Sequence, residues 1–191
     1  MKPTRRNLVT GSVALAASLA ASRLRAEPVL SEDGLYRQPW FIDSFLELAD
    51  DLQAAAKSGK RFAIMWELRG CPYCRETHLV NFARADIEDY IKVNFDILQL
   101  NIIGARKVTD FDGTEISEKA LAAKYGVRFT PTLQFFADDP ALLAEKLPEK
   151  REVARAAGYL RPDDFLAMFR YVREKAYERK SFRDYVRAMR S

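Results

Sequence analysis

The sequence predicts an α/β domain in which a central sheet is flanked by helices. Three observations support this class. Apolar runs of strand length alternate with segments whose apolar residues recur at helical spacing. Glycine and proline mark the boundaries between these segments. The 191 residues suffice for one domain with a substantial core, and they contain no internal repeat, low-complexity tract or linker.

The first 26 residues are expected to lie outside this domain. Met1–Asn7 is basic, Leu8–Ala21 is an apolar run and Leu24–Ala26 is an acceptable cleavage site, which is the organisation of a signal peptide. The run is too short and too rich in alanine, glycine and serine for a membrane span. We therefore predict a signal peptide at 1–26 and a mature domain at 27–191.

Two export routes are compatible with this segment. Thr4-Arg5-Arg6-Asn7-Leu8-Val9 resembles the twin-arginine motif, which directs the export of folded proteins, and favours that route. Paired arginines also occur in ordinary secretion signals, and cleavage after Ala21 or Ser22 is a further alternative. Export to the periplasm is the expected localisation.

The net charge of the chain depends on this segment. The full chain carries 31 basic and 27 acidic residues, and 1–26 holds five of the basic ones and no acid, so the mature domain has 26 against 27. Basic residues outnumber acidic ones locally after Lys150, on a predicted helix face that includes Arg173 and Arg179. These residues complement the helix dipole, with partner docking as the alternative. Nucleic acid is not an expected partner.

The N-terminal half begins with an aperiodic stretch, Glu27–Gln38, which predicts an extended arm. Apolar residues then recur at helical spacing from Phe41 through Phe45 to Ala56, and a glycine follows, so an amphipathic helix is expected to pack on the sheet. Arg61–Leu68 is apolar and of strand length, which predicts the first central strand.

The middle of the chain continues the β-α-β order. A helix is expected from Cys71 to Phe82, and a short one at Asp86–Lys92. Phe95–Ile103 has the β-branched and apolar content of another buried strand. Val108–Ile116 contains an Asp-Gly turn between apolar flanks, which indicates a small hairpin or loop.

The C-terminal part is predicted to contain two strands between helices. A serine N-cap precedes the helix Glu118–Tyr125, which a glycine ends. Strands are expected at Thr132–Ala137 and Val153–Ala157. The last long helix begins after Arg161 with two aspartates in its first turn, and Arg179–Ser191 is expected to add a short helix.

The only two cysteines form Cys71-Pro72-Tyr73-Cys74, where a strand is predicted to meet a helix. A structural disulfide gains most from closing a long loop of unfolded chain, whereas this ring is very short. Zinc requires about four ligands, and the chain offers two thiols and one histidine. Redox exchange is therefore predicted, with copper carriage as an alternative.

The position of the motif suggests a role for each cysteine. If Cys71 lies at the helix N-terminus, the unpaired N–H groups there stabilise its thiolate and lower its pKa, which makes it the nucleophile. Pro72 then falls in the first helical turn, where its missing N–H is tolerated. Cys74 lies one turn further along the helix and is the predicted resolving thiol.

Three other segments have alternative interpretations. Glu67 is either a proton relay to Cys74 or a solvated residue at a strand end. His78 is interpreted as a surface histidine, with tuning of the Cys74 thiol as the alternative. Asp110–Gly113 echoes a calcium-binding loop but lacks its later ligands, so it is interpreted as a turn, and no metal site is expected.

The order of these features resembles the thioredoxin fold over roughly Trp40 to Glu178. The resemblance rests on the strand, the Cys-Pro-x-Cys turn, the β-α connection and Thr130-Pro131 ahead of a strand pair and a terminal helix. It implies a central mixed sheet flanked by helices, with N-terminal and C-terminal helical extensions. It also implies a cis Thr130–Pro131 bond beside the cysteines, the alternative being an ordinary proline at the start of a strand.

Within this fold the motif resembles several groups. Cys-Pro-Tyr-Cys is the tetrapeptide of glutaredoxins, whereas the signal peptide and Gly158-Tyr159-Leu160-Arg161 are similar to exported thioredoxin-like proteins. The chain is most similar to periplasmic thioredoxins of sulfur-oxidation clusters, the SoxW type. It departs from thioredoxins proper, which have tryptophan before the first cysteine and a buried aspartate in the preceding strand. Here those places hold Gly70 and apolar residues.

The resemblance implies an exported thiol:disulfide oxidoreductase that reduces protein disulfides in the periplasm. It further implies a membrane thiol carrier as electron donor, no bound cofactor and a monomeric protein. The alternatives are a disulfide oxidase or isomerase, and a redox-inert or copper-carrying protein of the same fold. The expected site comprises the two catalytic cysteines and supporting residues, namely Cys71, Cys74, Pro72, Tyr73, Thr130, Pro131 and Glu67.

Overall fold

The computed structural model describes residues 27–190. The predicted signal peptide at 1–26 and Ser191 lie outside the described residues, so the signal peptide remains a prediction. Among the described residues, no helix combines the length and the apolar character needed to cross a membrane.

The described residues form eight strands and seven α-helices. The strands are β1 (Val29–Leu30), β2 (Tyr36–Arg37), β3 (Arg61–Glu67), β4 (Phe95–Asn101), β5 (Lys107–Thr109), β6 (Glu115–Ser117), β7 (Thr132–Phe136) and β8 (Glu152–Ala157). The helices are α1 (Leu48–Lys57), α2 (Pro72–Glu76), α3 (Ala85–Asn94), α4 (Glu118–Lys124), α5 (Pro140–Ala144), α6 (Pro162–Arg173) and α7 (Phe182–Arg190).

The central sheet has the strand order β4-β3-β7-β8. β4 runs parallel to β3, whereas β7 and β8 are antiparallel to their neighbours, so the sheet is mixed. All seven residues of β3 are buried, because this strand is central and helices cover both faces. The predicted fold class is confirmed, as are helices at both ends of the domain, α1 before the sheet and α7 after it.

Alternate residues of β3 serve two separate cores. Ala63 and Met65 face the cluster that includes the apolar side of α3 and α6, while Ile64 and Trp66 face the cluster formed with α1, α4 and α5. This division follows from the two-residue repeat of a strand, which points successive side chains to opposite faces. The helices thereby hold the carboxyl end of β3, where the cysteine motif begins.

The helix predicted from Phe41 begins only at Leu48, so its first part was wrong. Phe41 is buried in the core on the α6 face, whereas Leu48 belongs to the core on the opposite face. The chain must turn between them and cannot continue as one straight helix. Leu46 has a positive φ of 65° in this turn, and Phe45 is 98% exposed.

The predicted extended arm folds back on itself as the β1–β2 hairpin, which the sequence did not reveal. Its turn contains Gly34 at a φ of 77°, and a Cβ there would lie only 2.6 Å from Cδ of Arg69. Glycine therefore lets the hairpin pack against the loop that leads into the cysteine motif. The short helix α5 was also not predicted.

Candidate active site

Three loops meet at one end of the central sheet. The cysteine loop follows β3, the loop containing Pro131 precedes β7, and the loop containing Gly158 follows β8. The strand register pairs Trp66 with Thr132 and Thr132 with Ala157, so the three strand ends lie side by side. Segments far apart in the chain are thereby placed around the two cysteines.

Cys71 and Cys74 are joined by a disulfide, and their Cα atoms are 5.3 Å apart. Cys71 is the N-cap of α2, and its Sγ accepts a hydrogen bond from the backbone N–H of Cys74 at 3.1 Å. Pro72 occupies the first helical turn, as expected. Cys74 is buried, with 4% exposure, whereas Cys71 is partly exposed. The more accessible sulfur is thus that of the predicted nucleophile.

The Thr130–Pro131 peptide bond is cis, as the resemblance implied. The carbonyl oxygen of Thr130 lies 3.5 Å from Sγ of Cys71. The loop is held in turn by Thr132, whose hydroxyl donates to the carbonyl of Phe129 at 2.8 Å. The structure therefore brings together the two segments that were predicted to form the site.

Tyr73 projects from the motif and is 57% exposed. Its ring stacks on that of Tyr159, with 5.8 Å between ring centroids and an interplanar angle of 22°. The Tyr159 hydroxyl donates to Oδ1 of Asn81 at 3.1 Å, and the Asn81 amide donates to the carbonyl of Leu160 at 2.9 Å. Tyr73 is thereby linked to the loop after β8, a contact that the sequence did not predict.

Glu67 and His78 form a buried pair behind the disulfide, which corrects two interpretations. His78 has no exposed surface, so it is not a surface histidine, and Glu67 is 1% exposed, so it is not solvated. Nε2 of His78 lies 3.0 Å from Oε1 of Glu67. The physical reason for the correction is that helix phase after the motif turns His78 inward, beneath the N-terminal arm.

Helical spacing explains the inward position of His78. Cys74, Thr77, His78 and Asn81 are all buried, and they stand at positions i, i+3, i+4 and i+7, which form one face of a helix. After α2 the chain continues as a π-helical segment, Thr77–Asn81, in which the N–H of Phe82 donates to the carbonyl of Thr77 at 3.0 Å. His78 and Asn81 therefore point into the protein on the same face as Cys74, with no exposed surface.

Two glutamines that the sequence analysis did not single out complete the buried network. Nε2 of Gln38 lies 3.3 Å from Nδ1 of His78 and donates to the His78 carbonyl at 3.2 Å. The Gln99 amide donates to Glu67 and to the carbonyl of Tyr36. Since Gln38 donates to Nδ1, the ring proton that Glu67 accepts lies on Nε2. One available signal was a glutamine between the apolar residues Leu98 and Leu100 of strand β4.

The N-terminal hairpin encloses a cavity of about 400 Å³ beside the disulfide. Leu35 and Tyr36 form one wall, and the opposite wall includes Glu67, Cys71 and Cys74. The cavity therefore places a buried carboxylate and both sulfur-bearing residues on one enclosed surface. The Tyr36 hydroxyl also accepts a hydrogen bond from the Arg75 guanidinium at 3.3 Å, which ties the arm to the motif.

The Asp110–Gly113 segment is a structural turn, closed by a hydrogen bond from the N–H of Gly113 to the carbonyl of Asp110 at 2.9 Å. The carboxylates of Asp110 and Asp112 are both bound by Lys124 and Arg151. These cations occupy the oxygens that a calcium ion would need. Across residues 27–190, no cluster of three or more metal-ligating side chains is present.

The fold agrees with the comparisons with known proteins. The chain is similar to a thioredoxin-fold protein from Helicobacter pylori, with 22% identity over 69% of this chain and 81% of that one, and a TM-score of 0.51. A thioredoxin from Thermus thermophilus gives 20% identity over 64% and 81% of the two chains, with a TM-score of 0.48. No curated protein sequence shows significant similarity to the chain.

Structural similarity at this level of sequence identity shows the fold but does not assign the chain to a family. A sequence-family model provides that assignment. The model of the thioredoxin-like domain matches residues 48–173, which is more than half of the chain. The matched region runs from α1 to the end of α6 and includes the cysteine motif and the Thr130–Pro131 loop. The chain is therefore a member of the thioredoxin-like domain family.

Proposed function

We propose that this protein is an exported thiol:disulfide oxidoreductase that reduces protein disulfides in the periplasm. The observation that carries the proposal is the asymmetry of the Cys71–Cys74 disulfide, whose first residue is partly exposed and whose second is buried. The accessible sulfur of Cys71 can react with a substrate disulfide. The buried sulfur of Cys74 is shielded from substrates and reacts only with the mixed disulfide on Cys71. Membership of the family supports thiol–disulfide exchange at this general level.

Reduction of a substrate proceeds in two exchanges. The Cys71 thiolate attacks one sulfur of the substrate disulfide, a mixed disulfide forms, and the other substrate sulfur leaves as a thiolate that takes up a proton. The Cys74 thiolate then attacks Sγ of Cys71 and releases the second substrate thiolate. Two electrons pass to the substrate, and the protein is left with the Cys71–Cys74 disulfide. A dithiol donor must reduce it again, and a membrane thiol carrier is the donor we propose.

We propose that Glu67 accepts the proton of the Cys74 thiol. The thiol of Cys74 is buried and must be deprotonated before it can resolve the mixed disulfide. Glu67 is a buried carboxylate on the same cavity as Cys74, oriented by hydrogen bonds with His78 and Gln99. These contacts support Glu67 as the group that accepts that proton, either directly or through solvent that enters the cavity.

The location and the direction of exchange rest on sequence features. The predicted signal peptide at 1–26 supports export, and the resemblance to periplasmic thioredoxins of sulfur-oxidation clusters supports reduction. The alternatives are a disulfide oxidase or isomerase, and a redox-inert or copper-carrying protein.

The test of this function is a trapping experiment with Cys74→Ala. Cys71 can still open a substrate disulfide in this variant, but no internal thiol releases the mixed disulfide, so adducts accumulate. The full chain with its N-terminal segment is expressed, and periplasmic adducts that DTT removes are identified by mass spectrometry. The matched control is Cys71→Ser/Cys74→Ala, which should form none.

The identity of the adducts distinguishes the alternatives. Adducts with sulfur-oxidation carrier proteins would support the resemblance to the SoxW type. Adducts with cytochrome c apoproteins would instead indicate a role in haem maturation. Adducts with a broad set of envelope proteins would indicate a general reductase or isomerase. A folded, exported Cys74→Ala protein without adducts would refute the exchange mechanism. Copper titration of the purified protein would then test the carrier alternative.

A further inference from the structure

Four exposed arginines belong to the segments that meet at the active-site end of the sheet. Arg69 lies two residues before the first cysteine, and Arg75 directly follows the second. Arg128 lies two residues before Thr130, and Arg161 belongs to the loop after β8. The strand register brings these segments to one end of the sheet, and we call the four residues the arginine ring.

The arginine ring has no internal charge partners. Within residues 27–190, no carboxylate oxygen lies within 4.0 Å of the side-chain nitrogens of its members, whereas eight other arginines form such ion pairs. Glu76, the last residue of α2, is an acid next to Arg75, and burial together with the charge of Glu76 raises the pKa of the Tyr159 hydroxyl. The site is thus locally positive, although the mature domain has nearly balanced charges.

Apolar and aromatic groups lie between these charges. Phe129 is 66% exposed beside the Thr130 carbonyl, and the stacked rings of Tyr73 and Tyr159 lie next to the motif. An extended peptide that crosses Cys71 would therefore meet apolar contacts near its cysteine and positive charge further out. Such complementarity raises the association rate and the selectivity of binding more than the affinity itself.

We propose that the arginine ring selects substrate disulfides that are flanked by acidic residues. The partner is a protein segment with aspartate or glutamate within a few positions of its cysteine. This inference rests on the proposed function and deepens it by naming the chemistry of the substrate. It does not depend on whether the physiological partner is a sulfur-oxidation carrier or another envelope protein.

The experiment uses three synthetic peptides with the same intramolecular disulfide and flanks of aspartate, serine or lysine. Single-turnover rates are measured with the reduced protein at low ionic strength and again at high ionic strength. We expect the aspartate peptide to react about fivefold faster than the serine peptide, and the lysine peptide more slowly still, with the differences largely lost in high salt.

The decisive variant is Arg128→Gln/Arg161→Gln, because Arg69 and Arg75 flank the cysteines and would alter the thiolate itself. Each protein is scored by its own ratio of aspartate-peptide to serine-peptide rates, which should fall from about five to about two in this variant, since Arg69 and Arg75 remain. The matched control, Arg173→Gln/Arg179→Gln, removes the same charge elsewhere. Arg173 donates to the carbonyl of Gly59 at 3.0 Å, before the start of β3, and so lies at the opposite end of the sheet.

The possible outcomes separate this inference from the proposed function. Equal rates of wild-type protein on all three peptides would overturn the selectivity while leaving thiol exchange in place. A control variant that loses as much discrimination as the ring variant would also overturn it, since the effect would then reflect total charge. If the reduced, folded protein reduces none of the peptides, the proposed function itself fails.

Discussion

His78 shows how one residue can be assigned wrongly from sequence. It lies four residues after Cys74 and therefore on the same helix face, which is buried in the structure. The spacing did not show that this face is covered, because the N-terminal arm that supplies Gln38 has only two-residue strands and no pattern in its sequence. For Glu67 a proton relay and a solvated residue at the strand end were both open, and burial of the strand end excludes the solvated one.

The first prediction concerns Glu67→Gln, which keeps the shape of the side chain but cannot take up a proton. We expect the resolving step by Cys74 to slow on the order of 10²-fold, while the initial attack by Cys71 is nearly unchanged. Stopped-flow measurement of both steps, with a small neutral disulfide as substrate, separates them. A general structural effect would instead slow both steps alike, and it would leave the pH dependence of resolution as in the wild type.

At the scale of elements, the strands with long apolar runs could be predicted closely. β3 was expected at Arg61–Leu68 and is observed one residue shorter, since seven buried positions leave little ambiguity. The arm was harder to predict, because two-residue strands have almost no pattern. The arm is held in place by long-range contacts, such as the one between Gln38 and His78, which are 40 positions apart in the chain.

The arm is predicted to contribute to stability through Gln38. Gln38→Ala would leave the buried Nδ1 and carbonyl of His78 without their donor, and this should lower the free energy of unfolding by about 1–3 kcal/mol. Urea denaturation of the oxidised wild-type and variant proteins measures this change in the free energy of unfolding. Gln53→Ala is a suitable control, since Gln53 is an exposed residue of α1, and its loss should stay within about 0.5 kcal/mol. Similar effects of the two variants would argue against an anchoring role for the arm.

A charged cluster fixes the β5–β6 hairpin to the segment before β8, and it predicts a pH dependence. Partial burial of Asp112 opposes its ionisation, but hydrogen bonds from Lys124, Arg151 and Thr114 outweigh this and hold its pKa below the ordinary value. A lowered folded-state pKa stabilises the fold above the unfolded pKa of about 3.9, and the stabilisation is lost as the pH falls towards the folded value.

Asp112→Asn should therefore lower the free energy of unfolding by about 1–2 kcal/mol at pH 7. The difference from wild type should shrink as the pH falls below about 4, because the wild-type carboxyl then also becomes neutral. Denaturant titrations between pH 3 and pH 7 give this difference directly. A gap that stays constant over the range would mean that the charge of Asp112 does not stabilise the hairpin.

At the scale of the whole molecule, the sequence indicated which segments matter but not how they enclose the site. The cysteine motif and the Thr130–Pro131 loop could be predicted because each has a local pattern. The cavity under the hairpin, the Tyr73–Tyr159 stack and the arginine ring depend on the register of three strands. Their members are single residues far apart in the chain, and only the completed sheet brings them together.

The reduction potential is a property of the complete site. Forces that stabilise the Cys71 thiolate favour the reduced form, and here they include the hydrogen bond from the N–H of Cys74 and the positive charge of Arg69 and Arg75. The buried Glu67 carboxylate acts in the opposite sense, because negative charge near the thiolates disfavours them. The influences that stabilise the thiolate and those that destabilise it therefore oppose each other. Because the Pro-Tyr dipeptide between the cysteines is also that of glutaredoxins, we expect a reduction potential of roughly −270 to −180 mV.

Equilibration of the protein with glutathione buffers, followed by alkylation of free thiols, gives this potential. Glu67→Gln should raise it, since removal of the negative charge stabilises the reduced form, while the control Arg173→Gln should leave it unchanged. A wild-type value within the expected range is compatible with reduction of protein disulfides by a protein that is itself recharged from a donor. A value near −120 mV, as for strong oxidants of this fold, would instead mean that the protein donates its disulfide to substrates.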